Sequence, residues 1–185
     1  SLLYVRCACV RLSSSLRRSC FSIVATESNS EVRSCNSARL VSMSAVCAIG
    51  NDGVLLQPRY VKALTNSKGD VVKEFEKTEI RRVLSKETAA EMRKNMEYVV
   101  SEGGAGAAKI VGYRVGGKTG TANKVENGVY GDYYYSSFIG MAPMDDPQFA
   151  VLVVVDSPKG SYYGSVVAAP VAKSILEDSL RYLNF

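Results

Sequence analysis

Apolar residues recur every three or four positions in two stretches of the chain, and this spacing predicts two amphipathic helices. In the first, over residues 85–100, Ser85 is a suitable N-cap, and Gly103 begins a glycine cluster that ends the helix. The second closes the chain and has Pro170 in its first turn. The predicted buried stripes are Ala89, Met92, Met96 and Val99 in the first helix, and Val171, Ile175, Leu176, Leu180 and Leu183 in the second.

Between these two helices the chain follows the pattern of β-strands. Stretches rich in β-branched and aromatic residues predict strands at residues 113–122, 135–142 and 148–155. Residues 150–155 are apolar without interruption, as expected of a strand that is buried on both faces. A helix, three consecutive strands and a closing helix that packs on the sheet predict an α+β fold.

The residues before Ser85 predict smaller elements. Residues 45–50 are small and apolar, which predicts the last turns of a buried helix, and Asn51-Asp52-Gly53 predicts the turn that ends it. The turn-forming run at residues 66–70 lies between β-forming residues. It therefore predicts a small hairpin that includes residues 71–75.

The beginning of the chain differs in composition from the rest. All five cysteines lie within the first 47 residues, together with six arginines, no lysine and only two acidic residues, so nearly all of the net charge of +5 lies here. The cysteine spacing fits no zinc site or even-numbered disulfide framework, and one Arg-Arg pair is too little for a nucleic-acid-binding arm. We interpret residues 1–44 as an anomalous Ser/Arg/Cys-rich segment from a frame-shifted or misjoined coding region, and residues 45–185 as the folded part.

The chain contains no histidine, which excludes several chemistries. Ser-His-Asp and Cys-His nucleophilic sites and histidine-containing zinc sites are impossible, so lysine, tyrosine or a carboxylate must do any acid–base work near neutral pH. We predict no metal and no cofactor. No apolar run approaches the ~20 residues that span a bilayer and no signal peptide is visible, so we expect no membrane anchor within this sequence.

The glycine-rich stretch from Gly112 onward permits two incompatible interpretations. Residues 112–119 fit the phosphate-binding pattern G-x-x-x-x-G-K-[ST], and the apolar run that ends at Asp156 is typical of a strand before a magnesium-binding aspartate. A P-loop nucleotide-binding protein also needs a helix directly after Thr119, because the N-terminus of that helix binds phosphate. Glycines and a predicted strand follow instead, so this hypothesis is the weaker one.

The second interpretation places the same residues on a strand. Lys-Thr-Gly is one of three elements that penicillin-recognising serine acyltransferases bring together, with Ser-x-x-Lys and Ser-x-Asn. Lys118 would be a fixed cation beside the nucleophile. Thr119 and Thr121, two apart on one strand face, would offer hydroxyls to a substrate carboxylate. Gly120 would let the acyl chain approach the backbone, where an N–H group completes an oxyanion hole.

The surrounding sequence extends this match beyond three residues. Residues 116–122, Gly-Gly-Lys-Thr-Gly-Thr-Ala, resemble the third motif of class B penicillin-binding proteins, and residues 51–60, 135–143 and 168–172 resemble further segments of that family in the expected order. From about Ser44 onward, the chain resembles the C-terminal part of a transpeptidase domain of the division and sporulation type. The resemblance implies the penicillin-binding, serine β-lactamase-like fold, in which an antiparallel sheet packs against helices.

The resemblance also implies an activity. Members of this family cross-link peptidoglycan stem peptides ending in D-Ala-D-Ala through a serine acyl-enzyme, and β-lactams acylate the same serine. They work with the cell-wall synthesis machinery on the outer face of the bacterial membrane, where an N-terminal helix anchors them, and nucleic acid is not a partner. Carried over by position, Lys118 would be the catalytic lysine. The substrate would be bound by Thr119, Gly120 and Thr121, and the loop at residues 126–134 would flank the cleft.

The family's nucleophile is missing from this sequence. No serine is followed three positions later by lysine; after Ser14 and Ser15 that position holds arginine, which cannot act as a deprotonated base. Ser34-Cys35-Asn36 fits Ser-x-Asn, but it lies in the anomalous segment and too near Lys118, so we interpret it as a chance match. We therefore leave open whether the chain is an enzyme, with a non-catalytic binding module as the further hypothesis.

Overall fold

A computed structural model describes residues 5–11, 23–24, 30–59, 61–126 and 128–184, with the backbone alone for residues up to 39 and for Glu126. In chain order these residues form strands β1 (Val5–Arg11) and β2 (Ile23–Val24), helix α1 (Ser30–Gly50), strands β3 (Val54–Leu56), β4 (Ala63–Thr65), β5 (Val71–Glu74) and β6 (Glu79–Arg82), helix α2 (Lys86–Ser101), strands β7 (Gly116–Glu126), β8 (Val129–Ala142) and β9 (Phe149–Asp156), and helices α3 (Gly164–Val167) and α4 (Ala169–Tyr182). A 3₁₀ turn at Gly106–Ala108 follows α2.

Five strands form one antiparallel sheet in the order β2-β1-β9-β8-β7. Strand β9 lies in its centre, paired with β8 on one side and along its whole length with the backbone of β1 on the other. Its residues from Phe149 to Val155 are all buried, which confirms the interpretation of this apolar run as a central strand. Strand β7 forms one edge of the sheet. The α+β fold with an antiparallel sheet is confirmed.

Helices cover both faces of the sheet, and the strand register assigns each side chain to a face, because directly paired residues point the same way. On the α4 face, Leu176 and Leu180 pack with Phe138 and the odd-numbered valines of β9. On the α1 face, Met43 and Cys47 of α1 and Met96 of α2 pack with the even-numbered residues of β9. The remaining buried members of the two clusters come from these elements and also from β3, the 3₁₀ turn with its flanking loops, and the loop after β8.

Helix α2 confirms the predicted helix and its cap, since Ser85 Oγ accepts a hydrogen bond from Thr88 N at 3.1 Å. The predicted stripe was partly wrong. Its buried residues are Ala89, Met96 and Val100, whereas Met92 is 40% exposed. The reason is packing: α2 contacts β7, α1 and the 3₁₀ turn, and the Met92 side chain belongs to neither of the two buried clusters.

The closing helix α4 follows its prediction at Leu176 and Leu180, which are fully buried. Val171, Ile175 and Leu183 are only partly buried. Ala169 and Ala172 take the remaining buried positions, because their small side chains let the helix lie close to the sheet.

The predicted strand limits also needed correction. Strand β7 begins at Gly116, three residues later than predicted, because Ile110 and Tyr113 close a tight turn of their own. Strand β7 ends at Glu126 and strand β8 begins at Val129, so most of the predicted loop at residues 126–134 lies within the two strands. The small hairpin is confirmed as β4–β5, with Asn66 Oδ1 accepting from Asp70 N at 3.0 Å.

Helix α1 ends at Gly50, as the small apolar run predicted. The proposed boundary between residues 44 and 45 falls inside this helix, and the anomalous origin of residues 1–44 stays a prediction. Within the residues that the structure describes, no helix has both the length and the apolar character needed to cross a membrane.

Candidate functional site

The four residues predicted to form the site lie consecutively on β7. Lys118, Thr119, Gly120 and Thr121 pair in order with Ile139, Phe138, Ser137 and Ser136 of β8. Their other side faces no strand within the described part of the chain. Residues 115–117 are buried, whereas Lys118 and Thr121 are exposed, so β7 emerges from the core where the predicted site begins.

Strand alternation divides these residues between the two faces. Thr119 and Thr121 lie on the α4 face, which confirms that the two hydroxyls share a face. Lys118 and Gly120 lie on the α1 face, and the Lys118 amine donates to Thr119 O at 2.8 Å. The sheet edge therefore presents a cation on one side and two hydroxyls on the other, with the strand backbone between them.

Two glycines before Lys118 let neighbouring groups pack directly on the β7 backbone. A methyl group at Gly116 would lie 2.6 Å from Met144 Sδ and 3.0 Å from Glu97 N of α2. A methyl group at Gly117 would overlap the ring of Phe138 and lie 2.7 Å from Ile139 O. These glycines therefore fix the position of the strand that carries Lys118.

Helix α3 is held against the site mainly through backbone atoms. Gly164 N donates to Thr121 Oγ1 at 3.3 Å, and a methyl group at Gly164 would overlap Ser137 O and lie 2.7 Å from Gly120 O. Because the Thr121 oxygen accepts this bond, its own proton remains available to donate outward. Gly164 and Ser137 were not identified as site residues from the sequence. The one signal available for Ser137 was the polar Ser-Ser pair directly before the apolar end of β8.

Three tyrosines form a cluster beside α3. The rings of Tyr134 and Tyr162 are stacked, with centroids 4.4 Å apart and planes 13° apart. The hydroxyls of Tyr162 and Tyr163 lie 3.3 Å apart, and this hydrogen bond raises the pKa of Tyr162 above its ordinary value. The fully buried Ser136 donates from Oγ to Tyr162 O, which anchors the loop after β9 to β8.

The structure disagrees with the P-loop interpretation. Lys118 and Thr119 lie inside strand β7, so they do not open a helix whose N-terminus could bind phosphate. Asp156 at the end of β9 pairs with the ammonium of Lys124, which also lies 4.7 Å from the centre of the Tyr135 ring. The described residues contain no group of three or more His, Cys, Asp or Glu that could hold a metal ion.

A family model described as the penicillin binding protein transpeptidase domain matches residues 38–177. The chain belongs to this family. Among curated proteins, stage V sporulation protein D of Bacillus subtilis is 43% identical over 145 residues, covering 77% of this chain and 22% of that protein. The transpeptidase resemblance drawn from residues 44–185 is therefore confirmed.

Solved transpeptidase structures share the fold. The D,D-transpeptidase domain of a peptidoglycan glycosyltransferase from Eggerthella lenta aligns with a TM-score of 0.67 and 28% identity, over 94% of this chain and 37% of that one. Penicillin-binding protein 3 of Mycobacterium tuberculosis, solved in complex with ampicillin, aligns with a TM-score of 0.67 and 31% identity, over 77% of this chain and 34% of that one. This chain thus spans about a third of each solved chain.

A bidentate ion pair ties α2 to the segment that leads into β7. Arg114 Nε donates to Glu97 Oε1 at 2.7 Å and Arg114 Nη2 donates to Glu97 Oε2 at 2.6 Å. The hydrogen bonds from Arg114 lower the pKa of Glu97 and raise that of Arg114. The carboxylate is therefore stabilised in its charged form by folding.

This pair predicts a specific pH dependence of stability. Because folding lowers the pKa of Glu97, its contribution is complete above the ordinary glutamate pKa and is lost as the pH falls through the lowered value. We expect Glu97→Gln to cost at most about 1 kcal/mol at pH 7, since Arg114 is largely exposed, and to cost progressively less below about pH 4.5. Urea unfolding between pH 3 and pH 7 measures this, with the exposed Glu91→Gln as control. A difference that stays constant over that range contradicts the prediction.

Proposed function

We propose that this chain is the part of a peptidoglycan D,D-transpeptidase domain that binds stem peptides ending in D-Ala-D-Ala and the β-lactams that resemble them. The observation that carries the proposal is the open edge of β7, where Lys118, two threonine hydroxyls and Gly120 follow one another as the strand leaves the core. An extended peptide can add to such an edge through main-chain hydrogen bonds. Membership of the transpeptidase family supports it, as do the aztreonam and ampicillin complexes of the tuberculosis protein.

Each site residue has a separate role in this proposal. Lys118 attracts the terminal carboxylate of the peptide by its charge. Thr119 and Thr121 donate hydroxyl hydrogen bonds to it, and Thr121 is oriented for this because its oxygen already accepts from Gly164. Gly120 leaves the backbone open to the ligand, and a methyl group there would lie 2.6 Å from Ser137 Oγ.

Acyl transfer needs a serine that this sequence does not provide. In that reaction the serine oxygen bonds to the carbonyl carbon of the penultimate D-Ala, the peptide C–N bond breaks, and the terminal D-Ala leaves as an amine that takes the serine proton. The amine of a second stem peptide then takes the acyl group and returns a proton to the serine. We place this activity in cell-wall synthesis on the outer face of the bacterial membrane, with the nucleophile supplied by another part of the transpeptidase domain.

The absence of a Ser-x-x-Lys element predicts that the chain alone is not acylated. We expect no covalent adduct after incubation with a labelled penicillin, because no serine has a lysine three residues on to accept its proton. Intact-mass spectrometry of the purified chain measures this directly. A mass increase equal to one penicilloyl group, on any serine, would contradict the prediction.

Binding without acylation tests the site itself. We expect the tripeptide diacetyl-Lys-D-Ala-D-Ala to shift the backbone amide NMR signals of Thr119 to Thr121. Lys118→Met should weaken its binding about tenfold, the loss typical of one charge-assisted contact. Lys68→Met, in the exposed β4–β5 turn, is the matched control and should change nothing. If the Lys118 and Lys68 variants bind the tripeptide equally well, the peptide site is not on β7.

A further inference from the structure

The β7–β8 hairpin continues beyond the rest of the sheet. Strand β9 ends at Asp156, opposite Tyr135, whereas β7 and β8 stay paired as far as Glu126 opposite Val129. We call this extension, residues 123–126 and 129–134, the arm. A two-stranded ribbon cannot bury its own apolar side chains. Four of them are largely exposed on the arm: Val125 by 62%, Val129 by 69%, Tyr130 by 77% and Tyr133 by 57%.

The arm extends one face of the candidate site outward. Asn123 pairs with Tyr134 two residues beyond Thr121, so this pair lies on the same face as Thr121. Val125 pairs with Tyr130 further out, beyond an irregularity in the register. Asn123 Nδ2 donates to Gly131 O at 3.2 Å, which fixes the irregularity between the two pairs. At ~3.3 Å per residue, Val125 and Tyr130 lie about 13 Å beyond Thr121 along β7.

The change from buried to exposed residues along β7 limits the direction in which a bound peptide can extend. Residues 115–117 are buried, partly beneath α2, whereas residues 121–123 are exposed. A peptide whose carboxylate lies at Thr119 and Thr121 can therefore follow the strand only toward the arm. Four or five extended residues span roughly 13–17 Å, which is the distance to Val125 and Tyr130. The far end of a stem peptide is the end that is joined to the glycan strand.

We propose that the arm binds the glycan strand of peptidoglycan, an N-acetylated amino-sugar polymer, through Val125 and Tyr130; the inference rests on the function proposed above for the same strand. A tyrosine packs its apolar ring face on the C–H face of a sugar and keeps its hydroxyl in water. The two residues that the proposal uses, Val125 and Tyr130, carry no formal charge, and the one charged residue between Tyr130 and Tyr134 on β8 is the exposed Asp132. The exposed apolar surface and its position beyond Thr121 on the same hairpin support the assignment.

A glycan without peptide tests the arm directly. Chitotetraose, a soluble tetramer of N-acetylglucosamine, should receive saturation transfer from the chain and should shift the ring signals of Tyr130 in NMR spectra. Val125→Ser and Tyr130→Ser should each remove the effect. Tyr182→Ser is the matched control, because it removes a tyrosine that is 85% exposed at the end of α4, and it should leave the effect unchanged.

A second titration separates the arm from the peptide site. We expect a disaccharide-pentapeptide to bind about tenfold more tightly than the same pentapeptide alone, and Tyr130→Ser to abolish that difference without changing pentapeptide affinity. The glycan assignment is overturned if chitotetraose receives no saturation transfer and the disaccharide-pentapeptide and the pentapeptide bind with equal affinity. This holds even if pentapeptide binding supports the peptide site. Tyr130-dependent transfer to chitotetraose without pentapeptide binding supports the arm and overturns the peptide site. If the NMR signals of Tyr130 change with protein concentration and not with added glycan, the arm binds a second copy of this chain, and the proposal is overturned.

Discussion

Replacing Gly164 with alanine should destabilise the domain by about 2–3 kcal/mol, the range expected when a group is forced into a filled space. The added methyl group would overlap Ser137 O and lie 2.7 Å from Gly120 O. Both obstacles are carbonyl oxygens of paired strands, which cannot rotate away as a flexible side chain can. Helix α3 must therefore lift off the sheet, and its hydrogen bond from Gly164 N to Thr121 Oγ1 must lengthen.

Urea unfolding measures the loss, and two other glycines separate its causes. Gly104→Ala adds a methyl group that meets nothing within 4 Å, so it should change stability by less than about 0.5 kcal/mol. Gly160 also has open space but a φ of +85°, so alanine there should cost about 1 kcal/mol through backbone strain alone. If Gly164→Ala resembles Gly104→Ala, α3 is not packed closely against β7 and β8.

Local sequence patterns were sufficient for the elements of the core. The uninterrupted apolar run in β9 and the spaced leucines of α4 reflect burial that each element experiences along its own length. Lys118 to Thr121 were also placed on a strand, because glycines and a strand pattern followed where a P-loop needs a helix. In each case the information lies within about a dozen consecutive residues.

The contacts around the site could not be predicted in this way. Thr121 and Gly164 are 43 residues apart, and Ser136 and Tyr162 are 26 apart. One partner in each pair is a backbone atom, which every residue possesses, so residue type gives no signal. Residues 126–134 were predicted as a loop, whereas the register of β8 carries the pairing with β7 out to Val129.

The largest loss of stability is expected for Phe138→Ala, at about 3–5 kcal/mol. Phe138 is fully buried on the α4 face, and its ring occupies the space above Gly117 of β7 and Gly140 of its own strand. Neither glycine has a side chain that could move into the cavity, and the neighbouring strand backbones are held by their own pairing. The cavity should therefore stay open, which places the cost near the upper end for a truncated aromatic residue.

A graded series keeps this expectation testable if the alanine variant does not fold. Phe138→Leu retains much of the volume and should lose clearly less than Phe138→Ala in urea unfolding. Tyr133→Ala, on the same strand but 57% exposed, should change stability by less than about 0.5 kcal/mol. Because Phe138 pairs directly with Thr119, Phe138→Leu should also weaken binding of the tripeptide, whereas Tyr133→Ala should not. Unchanged tripeptide affinity in Phe138→Leu would mean that the β7 edge holds its shape without the ring beneath it.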